Sequence, residues 1–270
     1  MTVGIYFNKN YLSDNRENVE KISARFAASG AECKVVENFS DLDGLDVLFV
    51  LGGDGTILLV ASECAARGVK IIGINYGHMG FLAEFEPEKL DDAVELVLSG
   101  DYNIQERSML KVECGESTYY ALNDLVIQRS TAGENFTNTV NLHAEIDGTT
   151  VDNFSSDGII ISTPTGSTAY SLAAGGSVLA PELNAFILTP ICAHSLHSRP
   201  VVFSDSSRLS ISPVNVKAPL VLSIDGKIVG ELKSNGQVKV TKAEKSVEFI
   251  TASDKNFFNK LLIKLNIWSK

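Results

Sequence analysis

Residues 46–57 read DVLFVLGGDGTI: an apolar run, then three glycines around a single carboxylate, then the start of another apolar segment. The run has the composition of a buried strand, and residues 56–67 can form a helix, so the glycines occupy a strand-to-helix turn. In open α/β sheets such turns, at the carboxyl ends of strands, are where ligands bind. Gly52, Gly53 and Gly55 lack Cβ atoms, and with Thr56 they form a phosphate loop whose amides can approach an anion at a helix start. Asp54 is then a puzzle, because a carboxylate repels phosphate. Either it caps the helix through its side chain, or it accepts the proton of a hydroxyl that attacks the bound phosphate, acting as a general base.

Working outward, VGIYF (3–7), a polar helical stretch from about Asn15 to Ser29, CKVVE (33–37) and VKIIGIN (69–75) surround the glycine turn in a βαβ rhythm. PEKLDDAVELVLSG (87–100) opens on Pro87, carries Leu90, Val94, Val97 and Leu98 on one face, and ends at Gly100, all helix features. Beyond Asp101 the texture changes to short alternating segments such as LKVEC, VNLHAEIDG and QVKVTKA. The expected fold is a doubly wound, Rossmann-like α/β domain over residues 1–100, followed by a β-rich domain over 101–250. A tail helix over 251–270 returns to pack on the first domain. Asp147-Gly148 and Asp225-Gly226 each follow an alternating run and predict tight hairpins.

The chain has 270 residues and a net charge of -10, from 23 Lys and Arg against 33 Asp and Glu, which argues against a broad nucleic-acid footprint. Any anionic ligand must be held locally. Cys33, Cys64, Cys114 and Cys192 form no CxxC pair and no secretion signal precedes them, which fits a reducing cytoplasm. No apolar run reaches the ~20 residues of a membrane helix. The tail stripe of Phe257, Phe258, Leu261, Leu262 and Leu265 beside Lys255, Lys260 and Lys264 suits a helix docked on the protein's own core better than one lying on a membrane.

The GGDGT turn is neither of the common phosphate cradles, since GxGxxG spacing is absent there and GxxxxGK[ST] occurs nowhere. A base beside donor phosphates requires a cation to screen their repulsion, which implies magnesium. The second chemistry-bearing stretch is SSDGIIISTPTGSTAYSLAAGG (155–176), a β run leading into hydroxyls, small residues and Tyr170, whose ring can lie against a flat ligand. His194 and His197 form an HxxH without a nearby third ligand, so zinc is not supported, and the absence of GxSxG argues against a hydrolase.

Together with GINYGHMGFLAEF (73–85), ALNDLVI (121–127) and SIDGK (223–227), these stretches resemble the NAD kinase family of bacterial type. That resemblance implies transfer of a phosphoryl group from ATP, or from polyphosphate, to the adenosine-ribose 2′-hydroxyl of NAD. It makes Asp54 the proton acceptor, with Gly55 beside it. It assigns NAD binding to Asn123, Asp124, Asp157, Thr168, Ala169, Tyr170, Ser171, Leu172, Ala173 and Asp225, and places Phe81 near the adenine. Three positions depart from the usual bacterial pattern: Asp124 stands where Glu is common, Ser155 where Arg is frequent, and Lys227 where Gln is frequent. Lys227 is a candidate for restoring charge that the absent Arg would supply. The resemblance also implies a homodimer or homotetramer acting on small molecules, away from membranes and nucleic acid. Two other readings use the same residues: a kinase of lipids or sugar phosphates sharing GGDGT, and a non-catalytic dinucleotide sensor in which Asp54 only caps a helix.

Overall fold

The structure, a computed structural model, describes residues 1–7, 12–76, 80–130, 139–216, 219–252 and 257–268, side chains included except at 12–15 and 265–268. Residues 77–79, Lys255 and the side chain of Leu265, which figure in the stretches quoted above, lie outside the described residues. The chain divides into two compact units, Met1–Arg107 with Ser246–Lys270, and Ser108–Lys245.

The first unit begins with β1 (Thr2–Phe7), α1 (Leu12–Ala28), β2 (Glu32–Val35), β3 (Val47–Leu51), α2 (Asp54–Arg67), β4 (Lys70–Ile74), α3 (Leu90–Ser99) and β5 (Asn103–Arg107). All five residues of β3 are buried, as its unbroken apolar run requires of a strand covered on both faces. Its alternate residues Val47, Phe49 and Leu51 pack with Ile22 and Phe26 of α1 and Leu90, Val94 and Val97 of α3. On the opposite face α2 buries Ile57, Val60, Ala61 and Cys64. Helices thus cover both faces, as a doubly wound sheet demands. Gly68 and Gly100 end α2 and α3 in the left-handed conformation expected of helix C-termini.

The second unit is a sandwich. Its strands are β6 (Leu110–Cys114), β7 (Ser117–Ala121), β8 (Asp124–Arg129), β9 (Val140–Ile146), β10 (Thr149–Ser156), β11 (Gly158–Ser162), β12 (Ala185–Ile191), β13 (Val201–Ser204), β14 (Leu209–Pro213), β15 (Leu220–Ile224), β16 (Lys227–Leu232) and β17 (Val238–Lys242), with a short helix α4 (Tyr170–Ala173) after β11. They form two six-stranded sheets, ordered β10-β9-β14-β17-β6-β7 and β13-β12-β11-β8-β15-β16. Alternate residues of both, among them Val112, Ile127, Leu142, Ile161, Leu188, Ile211, Leu222 and Val240, share one core. Both predicted hairpins form: Ile146 pairs with Thr149 and Ile224 with Lys227. Asp147, Gly148, Asp225 and Gly226 all have positive φ, which selects the mirror-image turn that suits twisted strands.

The chain then returns to the first unit with β18 (Val247–Thr251) and α5 (Phe257–Trp268). The first sheet is ordered β2-β1-β3-β4-β18-β5, parallel from β2 to β18 and antiparallel at β5. Residues 101–107 and 246–250, which the sequence pattern groups with the β-rich half, therefore sit in the first unit's sheet. The backbone groups of β5 find their partners on β18, which pairs with β4 on its other side. The tail helix docks through Lys260, whose Nζ meets Ala83 O and Glu84 Oε2, each at 3.0 Å, and through Phe257, 6.0 Å from Phe81 between ring centroids. Only part of the expected apolar stripe is covered, since Phe258 is 70% and Leu262 61% exposed. Among the described residues no helix is long and apolar enough to cross a membrane.

Candidate active site

In the first unit, β3 delivers the chain to the glycine turn, where Gly53 is the N-cap of α2 and Asp54 its first residue. The capping role considered for Asp54 is not what the side chain does. Its carboxylate turns away from its own helix and accepts hydrogen bonds from the amides of Phe81 (2.7 Å, to Oδ2) and Leu82 (3.1 Å, to Oδ1). Gly80 makes this possible, because any Cβ there would collide with the carboxylate. Helix geometry leaves the amides of Asp54 and Gly55 without carbonyl partners inside α2. Gly55 is exposed and Asp54 half-buried, so the loop offers amide donors beside a fixed, accessible acceptor.

In the second unit the organising residue is Asp225. From the β15–β16 turn its carboxylate accepts from the amides of Leu122 (2.9 Å), Asn123 (2.7 Å) and Asp124 (3.0 Å), while its own amide donates to Asp124 O (3.0 Å). The same turn is held from the other side by the TPTG segment. Thr163 N donates to Asn123 O (2.9 Å) and Thr163 Oγ1 to Leu122 O (2.6 Å), and Gly166 is required because a side chain there would strike the Asn123 carbonyl. The structure thus brings Asn123, Asp124, Asp225 and the 163–166 turn together, with Lys227 close enough for its charge to favour the Asp225 carboxylate.

Asp124 is 5% exposed, and burial, followed by the charge of Asp225, pushes its carboxyl up to about 7. Asp225 is also raised by burial, against the pull of its three amide donors. A carboxyl raised above its unfolded value stabilises the fold fully below the unfolded pKa, and that contribution is lost as pH climbs through the folded one. The wild-type chain without ligand should therefore lose stability between about pH 4 and pH 7, by on the order of a few kcal/mol, and Asp124→Asn should flatten that loss. Urea unfolding of both proteins at pH 5 and pH 8 checks this.

Asp157, between β10 and β11, is paired with Arg129 through Nε (3.1 Å) and Nη2 (3.2 Å). A guanidinium thus reaches Asp157 from β8, although Ser155 stands where the family resemblance leads one to look for Arg. Thr168 and Ser171 are buried, with Thr168 Oγ1 on Thr165 O (3.2 Å) and Ser171 Oγ on Thr189 Oγ1 (2.9 Å). The hydroxyls that make this stretch look like a ligand surface are turned inward here. Tyr170 is 43% exposed, and its hydroxyl is raised by partial burial, then by the charges of Cys192, Asp157 and Asp124. Ala169 and Leu172 are half-buried and Ala173 exposed. Sequence reasoning missed Gly80, the amides of Phe81 and Leu82, Thr163, Gly166 and Arg129. Of these, only the two glycines carried a readable cue.

A glycine turn between strand and helix, with amide donors beside a fixed carboxylate, has the layout used in phosphoryl transfer. Comparison with known proteins narrows that class. The models described as ATP-NAD kinase N-terminal domain and ATP-NAD kinase C-terminal domain match residues 2–102 and 122–252. An NAD kinase of Geotalea daltonii is 38% identical over 82% of this chain and 78% of its own, and one of Clostridium perfringens is 35% identical over 97% and 98%. The chain belongs to the ATP-NAD kinase family. Among solved structures, yeast NADH kinase complexed with NADH superimposes with a TM-score of 0.82 at 24% identity, covering 100% of this chain and 89% of that one. An NAD kinase from Archaeoglobus fulgidus in complex with ATP gives 0.79 at 22%, covering 98% and 99%. At such identities these two establish the shared fold.

Proposed function

We propose that Asp54 accepts the proton of the adenosine-ribose 2′-hydroxyl of NAD as that oxygen attacks the terminal phosphorus of ATP. The activity itself, formation of NADP by an NAD kinase, follows from family membership; the residue roles are our reading. A bond forms between the ribose oxygen and phosphorus, the bond to the bridging oxygen of ATP breaks, the proton passes to Asp54, and ADP leaves. The observation that carries this reading is the fixing of Asp54 by the amides of Phe81 and Leu82. A carboxylate already oriented needs no reorganisation as the hydroxyl approaches.

The glycine loop of Gly52, Gly53, Gly55 and Thr56 is assigned to the donor phosphates, through amides such as that of Gly55, since Gly52 N already donates to Ile74 O (2.9 Å) and Thr56 N to Gly53 O (2.9 Å). NAD is assigned to Asn123, Asp124, Asp157, Asp225, Lys227 and the 168–173 segment, in which Ala169, Tyr170, Leu172 and Ala173 are accessible while the Thr168 and Ser171 hydroxyls are used inside the fold, with Phe81 near the adenine. The ATP bound in the Archaeoglobus protein supports ATP as donor, and the NADH bound in the yeast protein supports a dinucleotide acceptor. Among the described residues no three His, Cys, Asp or Glu side chains form a metal-ligand group. Magnesium would arrive with the polyphosphate, since Mg²⁺ is commonly held largely by substrate phosphates and water, and it would screen the repulsion between those phosphates and Asp54. When bound, the ion neutralises phosphate charge. The reading extends to a cytoplasmic homodimer or homotetramer; four free cysteines fit a reducing compartment.

Purified protein given NAD, ATP and magnesium is expected to form NADP, detected with an NADP-specific dehydrogenase. Replacing ATP by polyphosphate, and NAD by NADH, defines donor and acceptor. Failure of every donor and acceptor pair would remove the reading.

A further inference from the structure

Asp54 is fixed by the amides of Phe81 and Leu82, so its orientation follows that of the 80–85 segment which carries them. The far end of that segment is anchored on β4. Glu84 N and Phe85 N both reach Gly73 O at 3.2 Å, and Asn75 N donates to Phe85 O at 2.8 Å. Gly73 lets Ala83 lie directly on the strand, since a Cβ on Gly73 would come within 2.9 Å of the Ala83 Cα. Between this anchor and Asp54, residues 80–84 belong to no helix or strand, so their backbone groups depend on partners from elsewhere.

The partner is α5. Phe257, Lys260 and Lys264 recur at i, i+3 and i+7, which puts them on one face of that helix. Phe257 packs on the Phe81 ring, 6.0 Å between centroids, and Lys264 Nζ lies 4.0 Å from the centroid of the same ring. Lys260 Nζ donates to Ala83 O and to Glu84 Oε2, each at 3.0 Å. The peptide joining residues 83 and 84 is thereby clamped at both ends, its carbonyl by the tail helix and its amide by β4. It lies two peptide units beyond the Leu82 amide that holds Asp54 Oδ1. The Lys260–Glu84 pair is shielded, its side chains 14% and 11% exposed, so salt screens it weakly. Exchanging such a pair for apolar groups of similar size is often neutral in stability, whereas the pair itself imposes one geometry.

We infer that Lys260 is a positioning residue for Asp54: through Ala83 O and Glu84 it holds the 80–85 segment so that the Phe81 and Leu82 amides present the carboxylate in one orientation. A misplacement of about 1 Å can cost on the order of a hundredfold in rate, so a contact remote from the reacting atoms can set it.

The inference rests on the proton-acceptor reading above, and hydrogen exchange keeps the two separable. Exchange of the Phe81 and Leu82 amides is followed by NMR in wild type, in Lys260→Met, and in Lys260→Met combined with Glu84→Gln, which leaves no unpaired buried charge. Both variants should exchange these two amides about tenfold faster or more, with the amides inside β3 unchanged. Both should lower kcat for NADP formation about tenfold, while KM for NAD and for ATP stays within about twofold. On an Asp54→Asn background the same substitutions should change the residual turnover by less than about twofold, because a residue that acts through the base has nothing left to position. Wild-type exchange at both amides in either variant overturns the inference, as does faster exchange spread equally over β3. So does recovery of kcat in the combined variant, which would trace the loss to an unpaired Glu84. An undiminished tenfold loss on the Asp54→Asn background, the mark of a general structural role, overturns it too. Exchange at Phe81 and Leu82 that depends on Lys260, in a protein that forms no NADP, would support the positioning while removing the kinase reading.

Discussion

Asp54→Asn lowers kcat for NADP formation by a factor on the order of 10² to 10⁴, the usual contribution of a positioned base. Asparagine fills the same space and can still accept one amide hydrogen bond through its Oδ1, so the 80–82 segment should stay in place. What disappears is an oxygen basic enough to take the proton. Asp54→Glu is expected to fare little better although it restores the charge. The added methylene pushes the carboxylate past the amides of Phe81 and Leu82 and against Gly80, where the aspartate carboxylate already fills the room a Cβ would need. Steady-state kinetics on the three proteins check both statements, and a glutamate variant near wild-type rate would mean that fixed geometry contributes little.

The second large effect belongs to Asp225→Ala. This residue is the acceptor for three consecutive amides, Leu122 to Asp124, and it occupies a left-handed turn position at φ 47. Alanine leaves the three donors without their acceptor and is poorly suited to that backbone region. Relief of repulsion on the buried Asp124 carboxyl offsets part of the loss. The balance should destabilise the second unit by about 3 kcal/mol and abolish measurable NAD binding, because the Asn123–Asp124 turn loses its anchor. Urea unfolding and NAD titration measure the two effects. An alanine variant with wild-type affinity would show that the TPTG contacts hold the turn without help.

Much of this architecture was legible because it depends on residue identity at short range. Three glycines after an apolar run place a strand-to-helix turn, Gly100 ends a helix, and two Asp-Gly pairs close hairpins. What stayed hidden depends on backbone groups or distant partners. The amides that fix Asp54 lie 27 and 28 residues away, and any residue but proline could provide them. Asp225 reads as a turn residue, and its hold on a segment about a hundred residues earlier leaves no mark in its own neighbourhood. The strand VEFIT alternates much like its sandwich neighbours, so nothing within it tells which sheet it joins. Conversely, the hydroxyls of residues 163–171 look made for a ligand, and the fold uses Thr163, Ser167, Thr168 and Ser171 to satisfy its own interior.

The most direct test of the central claim measures NAD affinity and NADP formation on one preparation of Asp54→Asn beside wild type. The proton-acceptor role predicts that affinity stays within about twofold while turnover falls at least a hundredfold, since a base acts in the transition state and not in ground-state binding. Affinity that falls in step with turnover would contradict it, and would make Asp54 a residue that holds the ribose without taking its proton.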